Sequence, residues 1–170
     1  MKLAYLYYLN KDDNYRGGVL LTDEKTKPVE FRITSKVKLE ELQKILYGSS
    51  LKEVLFKEKF GIELLSALSE NYDIVLTQDK EILSIRQYIG APVIFIRKFD
   101  PFMPKDRLSH KVVNIHEKFE PLIFTISKED ENKLIFISKK LNEIYKNFDL
   151  LEPFKRVEKA MEYLKYYEGK

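Results

Sequence analysis

The stretch NYDIVLTQDKEILSIRQYIGAPVIFIR, residues 71–97, decides the fold. Its runs DIVLT at 73–77 and APVIFIR at 91–97 are short and bounded by turn residues, which predicts two buried strands. Residues 80–89 between them carry apolar side chains at helical spacing, and Gly90 follows where a helix would end. A strand, a helix and a strand at this spacing predict a right-handed βαβ unit with parallel strands.

The segment before this unit predicts an antiparallel meander. LAYLYYL at 3–9 is apolar on both alternating faces, as in a central strand that is covered on each side. A polar connection at 10–18 leads to a second strand at about Val19 to Thr22, and a turn leads to a third at Val29 to Ile33. Residues 39–71 change to helical spacing. The predicted fold class is mixed α/β, with a three-stranded antiparallel meander followed by the parallel unit.

The second half begins with a break in this pattern. Residues 98–120 are interrupted by prolines and predict a basic connector with one short strand at Val112 to Ile115. The run LIFTI at 122–126 predicts a last strand, and two helices follow it. The predicted segments, packed together as one domain, are a mixed α/β core at 1–97, the connector at 98–120, and a C-terminal strand with a helical pair at 121–170.

The composition excludes several kinds of site. The 170 residues include no cysteine, which excludes disulfides, thiolate zinc sites, iron–sulfur clusters and cysteine nucleophiles. The apolar start stops at Asn10 with no cleavage site after it, and no apolar run approaches the roughly 20 residues of a membrane span. We therefore expect a cytoplasmic protein without a membrane partner. Lys and Glu are dense along the chain, as in proteins of thermophiles.

The predicted strand order resembles that of the ribonuclease H-like fold over about the first 97 residues. Enzymes of that fold hold two metal ions on carboxylates, one of which is central on the first strand. The first strand here, LAYLYYL, contains no acid. The resemblance therefore implies the architecture together with an altered site.

A second resemblance is local and concerns PIN-domain nucleases. YDIVLTQDKEIL, residues 72–83, looks like the PIN segment in which an Asp follows a strand and a Thr near the metal site, and Asp79 matches that Asp. PIN domains also have an Asp at the end of the first strand, where this chain has Asn10. These resemblances leave a magnesium- or manganese-dependent nuclease as an alternative, with an atypical set of acids: Asp79, Asp73, Glu63 and Glu30.

A third resemblance spans most of the chain. PVEFRITSKVK at 28–38, LQKILYGSSL at 42–51 and FDLLEPFKRVEKA at 148–160 look like segments of an uncharacterised bacterial protein family of unknown function. This resemblance implies one architecture and no particular activity.

Asp79 has two interpretations. It falls at the carboxyl end of a predicted strand, where open α/β sheets place their ligands, and could contact a metal or a substrate. It also precedes the helix predicted at 80–89, and Asp is a common N-cap because its oxygens accept from free backbone N–H groups. We prefer the cap.

The two histidines and the glycine pair do not form a recognisable metal site or phosphate-binding loop. His110 and His116 would share a face only along a strand, and zinc would need a further ligand from Glu117 or Asp106. Metal binding by the two histidines is therefore a minor alternative. The pair at 17–18 is Gly-Gly before a strand rather than a helix, which excludes a P-loop or dinucleotide cradle and favours a turn or a bulge.

The connector concentrates the positive charge. Between Arg97 and Lys118 there are six Lys or Arg residues and three acids. The net charge of this stretch is therefore +3, which equals the net charge of the whole chain. Basic groups with interleaved aromatic rings suit single-stranded nucleic acid, while a proline-ordered loop anchored by its phenylalanines is the simpler alternative. The predicted contact residues are Arg97, Lys98, Lys105, Arg107, Lys111, Phe99 and Phe102.

No complete catalytic constellation emerges from these residues, so the sequence favours a protein that is not an enzyme and needs no cofactor. The predicted function is a non-catalytic binding or assembly module for protein or single-stranded nucleic acid, with the metal-dependent nuclease as the alternative. We also expect a homodimer, because twofold self-association is the commonest oligomer and the closing helix carries Tyr163, Tyr166 and Tyr167.

Overall fold

Eight strands form one mixed sheet in the computed structural model, which describes the backbone of residues 1–168 and the side chains of residues 1–164. Tyr166 and Tyr167 lie outside the residues whose side chains are described. The sheet order is β3-β2-β1-β5-β6-β8-β7, and β4 pairs with β2. The strands are β1 Leu3–Lys11, β2 Asn14–Thr22, β3 Pro28–Ile33, β4 Val37–Lys38, β5 Ile74–Thr77, β6 Val93–Lys98, β7 Ser109–Val112 and β8 Leu122–Ile126.

The predicted meander and parallel unit are both confirmed. β1 pairs antiparallel with β2, and β2 pairs antiparallel with β3. β5 pairs parallel with β1, with Leu3 opposite Ile74, and β6 pairs parallel with β5, with Val75 opposite Val93. The ends of β1, β5 and β6 therefore lie along one side of the sheet, called the carboxyl edge below.

The first hairpin is tighter than the sequence predicts. β1 and β2 pair along their whole length, from Leu3 opposite Thr22 to Lys11 opposite Asn14. Only Asp12 and Asp13 form the turn, with φ angles of 52° and 62°, as a two-residue type I′ hairpin requires. The connection predicted at 10–18 is therefore wrong: most of it is strand.

The glycine pair lies inside β2, so its predicted place in a turn or bulge is also wrong. A Cβ on Gly17 would lie 2.7 Å from Cβ of Phe60, and one on Gly18 would lie 2.9 Å from Cγ1 of Val157. Phe60 belongs to a helix on one face of the sheet and Val157 to a helix on the other. The two glycines therefore allow helices to approach β2 closely from both faces.

Gly17→Ala is expected to lower the free energy of unfolding by roughly 1–2 kcal/mol. The added methyl group would collide with the Cβ atom of Phe60, which cannot move without shifting the backbone of the π-helix. Urea unfolding measures this loss. Gly90→Ala is the matched control, since a Cβ at Gly90 meets nothing within 4 Å. Equal unfolding midpoints for the two variants would contradict the close packing described here.

Helical segments cover both faces of the sheet. On one face the α-helices at Leu134–Tyr145 and Glu152–Glu168 pack on a core that includes Tyr5 and Phe154. On the other face a π-helix packs on a core that includes Leu6 and Phe60. β1 contributes to both cores, as predicted for a central strand. The α-helices are α1 Glu41–Tyr47, α2 Leu64–Ser66, α3 Leu134–Tyr145 and α4 Glu152–Glu168; the π-helix is Lys52–Glu63, and 3₁₀-helices are Lys80–Tyr88 and Lys128–Lys133.

The helix between β5 and β6 is a 3₁₀-helix rather than the α-helix that the sequence suggests. Its buried residues are Ile82 and Ile85, three positions apart. A 3₁₀-helix has three residues per turn, so this spacing places both side chains on one line facing the sheet.

The connector returns the chain across the sheet. β6 ends at the carboxyl edge, and β8 pairs antiparallel with both β6 and β7. β7 therefore runs in the same direction as β6, so residues 99–108 must carry the chain from the carboxyl edge to the opposite edge before β7 begins. The predicted strand at Val112 to Ile115 is instead Ser109–Val112. It ends there because the buried Asn114 forms a turn, accepting from the backbone N–H groups of His116 and Lys118. No helix among the described residues is both long and apolar enough to cross a membrane.

Candidate functional site

A groove follows the carboxyl edge of the sheet. β5 pairs with β1 only over Leu3 to Leu6, so the next two residues of β1 lie just past the end of β5. A cavity of about 180 Å³ opens at this point. The edge groove, as we name it, is lined by Leu6, Tyr7, Tyr8, Thr77, Gln78 and Asp79.

Asp79 caps the 3₁₀-helix, which confirms the preferred interpretation. Its Oδ1 accepts from the backbone N–H of Glu81 at 3.0 Å, and its own N–H donates to Oγ1 of Thr77. Its Oδ2 accepts from the hydroxyl of Tyr8. Both carboxylate oxygens are therefore engaged inside the protein.

Tyr8 is fixed between Asp79 and the π-helix. Its ring stacks on that of Phe56, with ring centroids 4.4 Å apart and planes 6° from parallel. Burial, the hydrogen bond to Asp79 and the negative charge of Asp79 together raise the pKa of the Tyr8 hydroxyl above its usual value. Tyr8 is therefore a neutral donor at physiological pH, and its hydroxyl lies against Oδ2 of Asp79.

The other three candidate acids lie elsewhere. Asp73 is at the opposite end of β5, where it accepts from the backbone N–H of Lys2 at 2.7 Å. The four residues of β5, Ile74–Thr77, separate Asp73 from the end at which Asp79 lies, or about 13 Å at 3.3 Å per residue. Glu63 is exposed at the end of the π-helix, and Glu30 is on β3. Among the side chains of residues 1–164, no three Asp, Glu or His groups are placed so that they could hold a metal ion.

Glu30, on β3, stabilises the loop that follows α2. Its carboxylate accepts from the backbone N–H groups of Ser69 and Glu70 at 2.9 to 3.0 Å and from Nε of Arg32 at 2.8 Å. The two backbone donors, followed by Arg32, lower the pKa of Glu30 to about 2. Its role in the fold is to tie the end of α2 to β3.

Glu30→Gln is expected to remove a pH-dependent part of the stability. Because the pKa of Glu30 is lower in the folded chain than its usual value of about 4.3, its contribution is fully present above that pH and is lost as the pH falls towards 2. The difference in urea midpoint between wild type and variant should therefore be largest above pH 5 and narrow at lower pH. Glu63→Gln, at an exposed site, is the control. A difference that stays constant between pH 7 and pH 3 would contradict this role.

The two histidines are not brought into one site. Nδ1 of His110 lies 3.2 Å from Oγ of Ser138, and its ring packs on Phe124. His116 is exposed in the turn after β7. Of the two acids considered as further zinc ligands, Asp106 accepts from the backbone N–H of Leu108, and Glu117 is exposed in the same turn as His116.

The structure divides the basic contact residues of the connector into two groups. Arg97 and Lys98 are at the carboxyl edge, and Nζ of Lys111 lies 4.2 Å from the centre of the Phe99 ring beside them. Arg107 lies towards the opposite edge, where it pairs with Glu131 at 3.6 Å. Because these residues are close in sequence, one cluster of basic side chains was predicted. Residues 99–108 cross the sheet, however, and so place Arg97 and Arg107 towards opposite edges.

Phe102 is held in solvent by an ordered turn. Oδ1 of Asp100 accepts from the N–H of Phe102 at 3.0 Å, and the Asp100 carbonyl accepts from the N–H of Met103 at 3.1 Å. Pro101 occupies the second position of this turn, where its fixed φ is favourable. The Phe102 side chain is 94% exposed, so the proposed anchoring of the connector by its phenylalanines does not hold for this residue.

A larger cavity, of about 490 Å³, adjoins the edge groove on the face covered by α3 and α4. The two share Tyr7 and Gln78. Burial, and then the charge and hydrogen bond of Glu158, raise the pKa of the Tyr7 hydroxyl. No pattern in the sequence predicts this cavity, because its lining comes from five separate parts of the chain. Its charged lining residues are Lys98, Lys118, Glu120, Asp149, Lys155 and Glu158.

Comparison with known proteins yields matches only to solved structures; no protein-family model matches, and no curated protein is similar in sequence. Endonuclease V from Bacillus subtilis is 13% identical with a TM-score of 0.54, covering 99% of this chain and 81% of its own. Endonuclease V from Ciona intestinalis, in complex with a 24mer DNA containing an inosine followed by a ribo-adenosine, is 14% identical with a TM-score of 0.62, covering 98% and 86%.

A second Ciona intestinalis Endonuclease V structure, of a variant bound to a 23mer DNA, is 12% identical with a TM-score of 0.52, covering 98% of this chain and 86% of its own. At these identities the likeness establishes the fold, and the ribonuclease H-like architecture expected from the strand order is confirmed. The resemblance to an uncharacterised bacterial family gains no support, since no family model matches.

Proposed function

We propose that the protein binds single-stranded nucleic acid across the carboxyl edge of its sheet. The observation that carries this proposal is the depression at that edge, where the edge groove and the larger cavity share Tyr7 and Gln78 and Lys98 lines the cavity at the end of β6. Open α/β sheets place their ligands outside the carboxyl ends of their strands. The similar solved structures that contain DNA support a nucleic-acid ligand.

Charge and aromatic rings favour a single strand over a duplex. Arg97 and Lys98 end β6 beside the cavity, so cations are available to phosphates along the edge. Phe102 projects into solvent from the connector that begins there. A ring so exposed can stack on an unpaired base, and such stacking tolerates any sequence. The connector contact residues predicted from the sequence thus remain part of the proposal, with Lys105 and Arg107 further from the groove.

Fluorescence anisotropy with a labelled 20-nucleotide strand, as RNA and as DNA, tests this function. If three lysines or arginines contact phosphates, the affinity should fall roughly tenfold or more between 50 and 200 mM salt. The double variant Arg97→Ala, Lys98→Ala should bind more weakly and show a shallower salt dependence. Lys139→Ala, on the exposed side of α3, is the matched control and should bind like wild type. Absence of binding at 50 mM salt, or a flat salt dependence, would refute the proposal and favour a protein partner.

Cleavage of the bound strand is the second candidate function. The likeness to solved endonucleases favours it over a pure assembly module. The acids of this chain do not fit a two-metal site in the arrangement described, because Asp79 is engaged by Tyr8 and Glu81 and the other candidates lie elsewhere. We therefore place binding first and catalysis second.

Two single variants, Asp79→Asn and Asp73→Asn, test whether the protein cleaves the bound strand. Asp79→Asn removes the acid at the carboxyl edge while keeping a good helix cap, and Asp73→Asn makes the same change at the opposite end of β5. Cleavage of an end-labelled strand in Mg²⁺ or Mn²⁺ that is lost in Asp79→Asn and kept in Asp73→Asn would establish the nuclease. No cleavage by wild type, or equal cleavage by both variants, would remove Asp79 from any catalytic role.

A further inference from the structure

The two outermost strands of the sheet differ at their free edges. β7 ends the sheet on one side and β3 ends it on the other. In an antiparallel pair, residues whose N–H and C=O groups point to the neighbouring strand alternate with residues whose groups point away from it. The outward groups of an outermost strand can therefore pair with another chain unless their own chain uses them.

The outward N–H groups at β7 are used within the chain. The carbonyl of Leu108 accepts from β8 at 3.0 Å, so the alternation turns Ser109 and Val113 away from β8. The N–H of Ser109 donates to the carbonyl of Asp106 at 3.1 Å. The N–H of Val113 donates to Oδ1 of Asn142 at 3.1 Å. This edge of the sheet is therefore closed by its own chain.

β3 has an open edge. The N–H of Thr34, the residue after β3, donates to β2 at 2.9 Å. The alternation then turns the N–H and C=O groups of Phe31 and Ile33 away from β2. No strand among residues 1–168 lies on that side of β3. The backbone groups of these two residues are therefore placed to pair with a strand of another chain.

The sequence of β3 is complementary to a second copy of itself. Two β3 strands that pair antiparallel about a twofold axis at Phe31 place the two Phe31 residues opposite each other. Glu30 of each chain then lies opposite Arg32 of the other, and Val29 lies opposite Ile33. Opposite charges and apolar side chains in directly opposed positions both stabilise an antiparallel pair.

Charge also selects this register over the neighbouring one. The outward groups equally permit an axis at Arg32, but that axis would place the two Arg32 side chains opposite each other, and like charges in that position are destabilising. Glu30 keeps its negative charge at neutral pH, since its hydrogen bonds lower its pKa to about 2. The side chain of Arg32 is about half exposed and can reach across the edge.

We infer that the protein forms a homodimer in which the two β3 strands pair antiparallel about a twofold axis at Phe31, so that the two sheets become continuous. β3 runs parallel to β1, because both are antiparallel to β2. The twofold axis therefore turns the carboxyl edges of the two chains in opposite directions. Each chain keeps its own groove, and the dimer does not depend on the nucleic-acid binding proposed above.

Sedimentation velocity of the full chain over a range of protein concentrations tests the association. Wild type should form a dimer. Arg32→Glu places an acid opposite Glu30 at both ends of the pairing and should raise the dissociation constant roughly tenfold or more. Lys139→Glu makes the same reversal of charge on the exposed side of α3 and should dimerise like wild type. A monomeric wild type, or an Arg32→Glu variant that dimerises as tightly as wild type, would overturn the inference.

Cysteine cross-linking tests the register, because the chain contains no cysteine of its own. The Cα atoms of a hydrogen-bonded antiparallel pair lie about 5.5 Å apart, within the reach of a disulfide. Phe31→Cys should therefore give a disulfide-linked dimer when it is treated with oxidised glutathione. Arg32→Cys is the matched control, since its two copies would lie about 8 Å apart along and across the strands, beyond that reach.

Denaturing gels without reductant measure the cross-linked fraction, and thermal unfolding checks that each variant is folded. Cross-linking of Phe31→Cys together with a monomeric Arg32→Cys supports the dimer and its register. Cross-linking of Arg32→Cys instead, or of neither folded variant, would overturn the inference and leave the proposed nucleic-acid binding unaffected.

Discussion

Replacing Arg86 with methionine is expected to lower the free energy of unfolding by about 3–5 kcal/mol. Nε and Nη2 of Arg86 donate to the two carboxylate oxygens of Asp130 at 2.8 and 3.2 Å. The Asp130 side chain is only 1% exposed, so the variant would leave a buried carboxylate without its hydrogen-bonded cation and with only Lys133, 3.8 Å away. Arg86 also donates to the carbonyl of Ile89, so the same side chain ends the 3₁₀-helix that Asp79 begins.

Urea unfolding at pH 7 measures this effect. The loss arises because Asp130 stays buried while both hydrogen bonds from the guanidinium are removed.

The double variant Arg86→Met, Asp130→Leu provides the control, because replacing both partners by apolar groups is often nearly neutral. It should recover most of the loss. A loss below 1 kcal/mol in the single variant, or no recovery in the double variant, would contradict the importance of the buried pair.

Phe102→Ala is expected to weaken binding of a single strand by about 1–3 kcal/mol, the usual contribution of stacking one base on an aromatic ring. Folding should be unaffected, because the side chain is 94% exposed and its turn is held by backbone groups and Asp100. Anisotropy with the labelled strand measures affinity, and thermal unfolding checks the fold.

Tyr88→Ala is the matched control for Phe102. Tyr88 is also an exposed aromatic residue, at 66%, but it lies at the end of the 3₁₀-helix and away from the carboxyl edge. It should leave the affinity unchanged. If both variants bind like wild type, the exposed ring of Phe102 takes no part in binding and the connector keeps only its charged contacts.

The sequence predicts the sheet well because short-range patterns determine it. The apolar residues on both faces of LAYLYYL indicated the central place of β1, and the short apolar runs of the first 97 residues were sufficient for the meander and the parallel pair. Errors arose where local signals were weak. The Asp12–Asp13 turn lacks the glycine that usually marks a two-residue hairpin, so the hairpin was mistaken for a loop.

The candidate site is less predictable because it depends on contacts between distant residues. Tyr8 and Asp79 are 71 positions apart, and no spacing along the chain links them. The cap by Asp79 could be predicted because it involves neighbours in sequence. Lys118 and Lys155 meet only after β8, α3 and α4 have folded onto the sheet, so the sequence singled out the connector and missed the cavity beside it.

Hydrogen exchange in the presence of a single strand tests the central claim most directly. Binding across the carboxyl edge predicts slower amide exchange in residues 76–81, at the end of β6 in residues 97–103, and in residues 118–122, with little change along the π-helix at Lys52–Glu63. Protection confined to the π-helix or to β3, or no protection at a strand concentration that saturates binding, would contradict the placement of the nucleic acid at this edge.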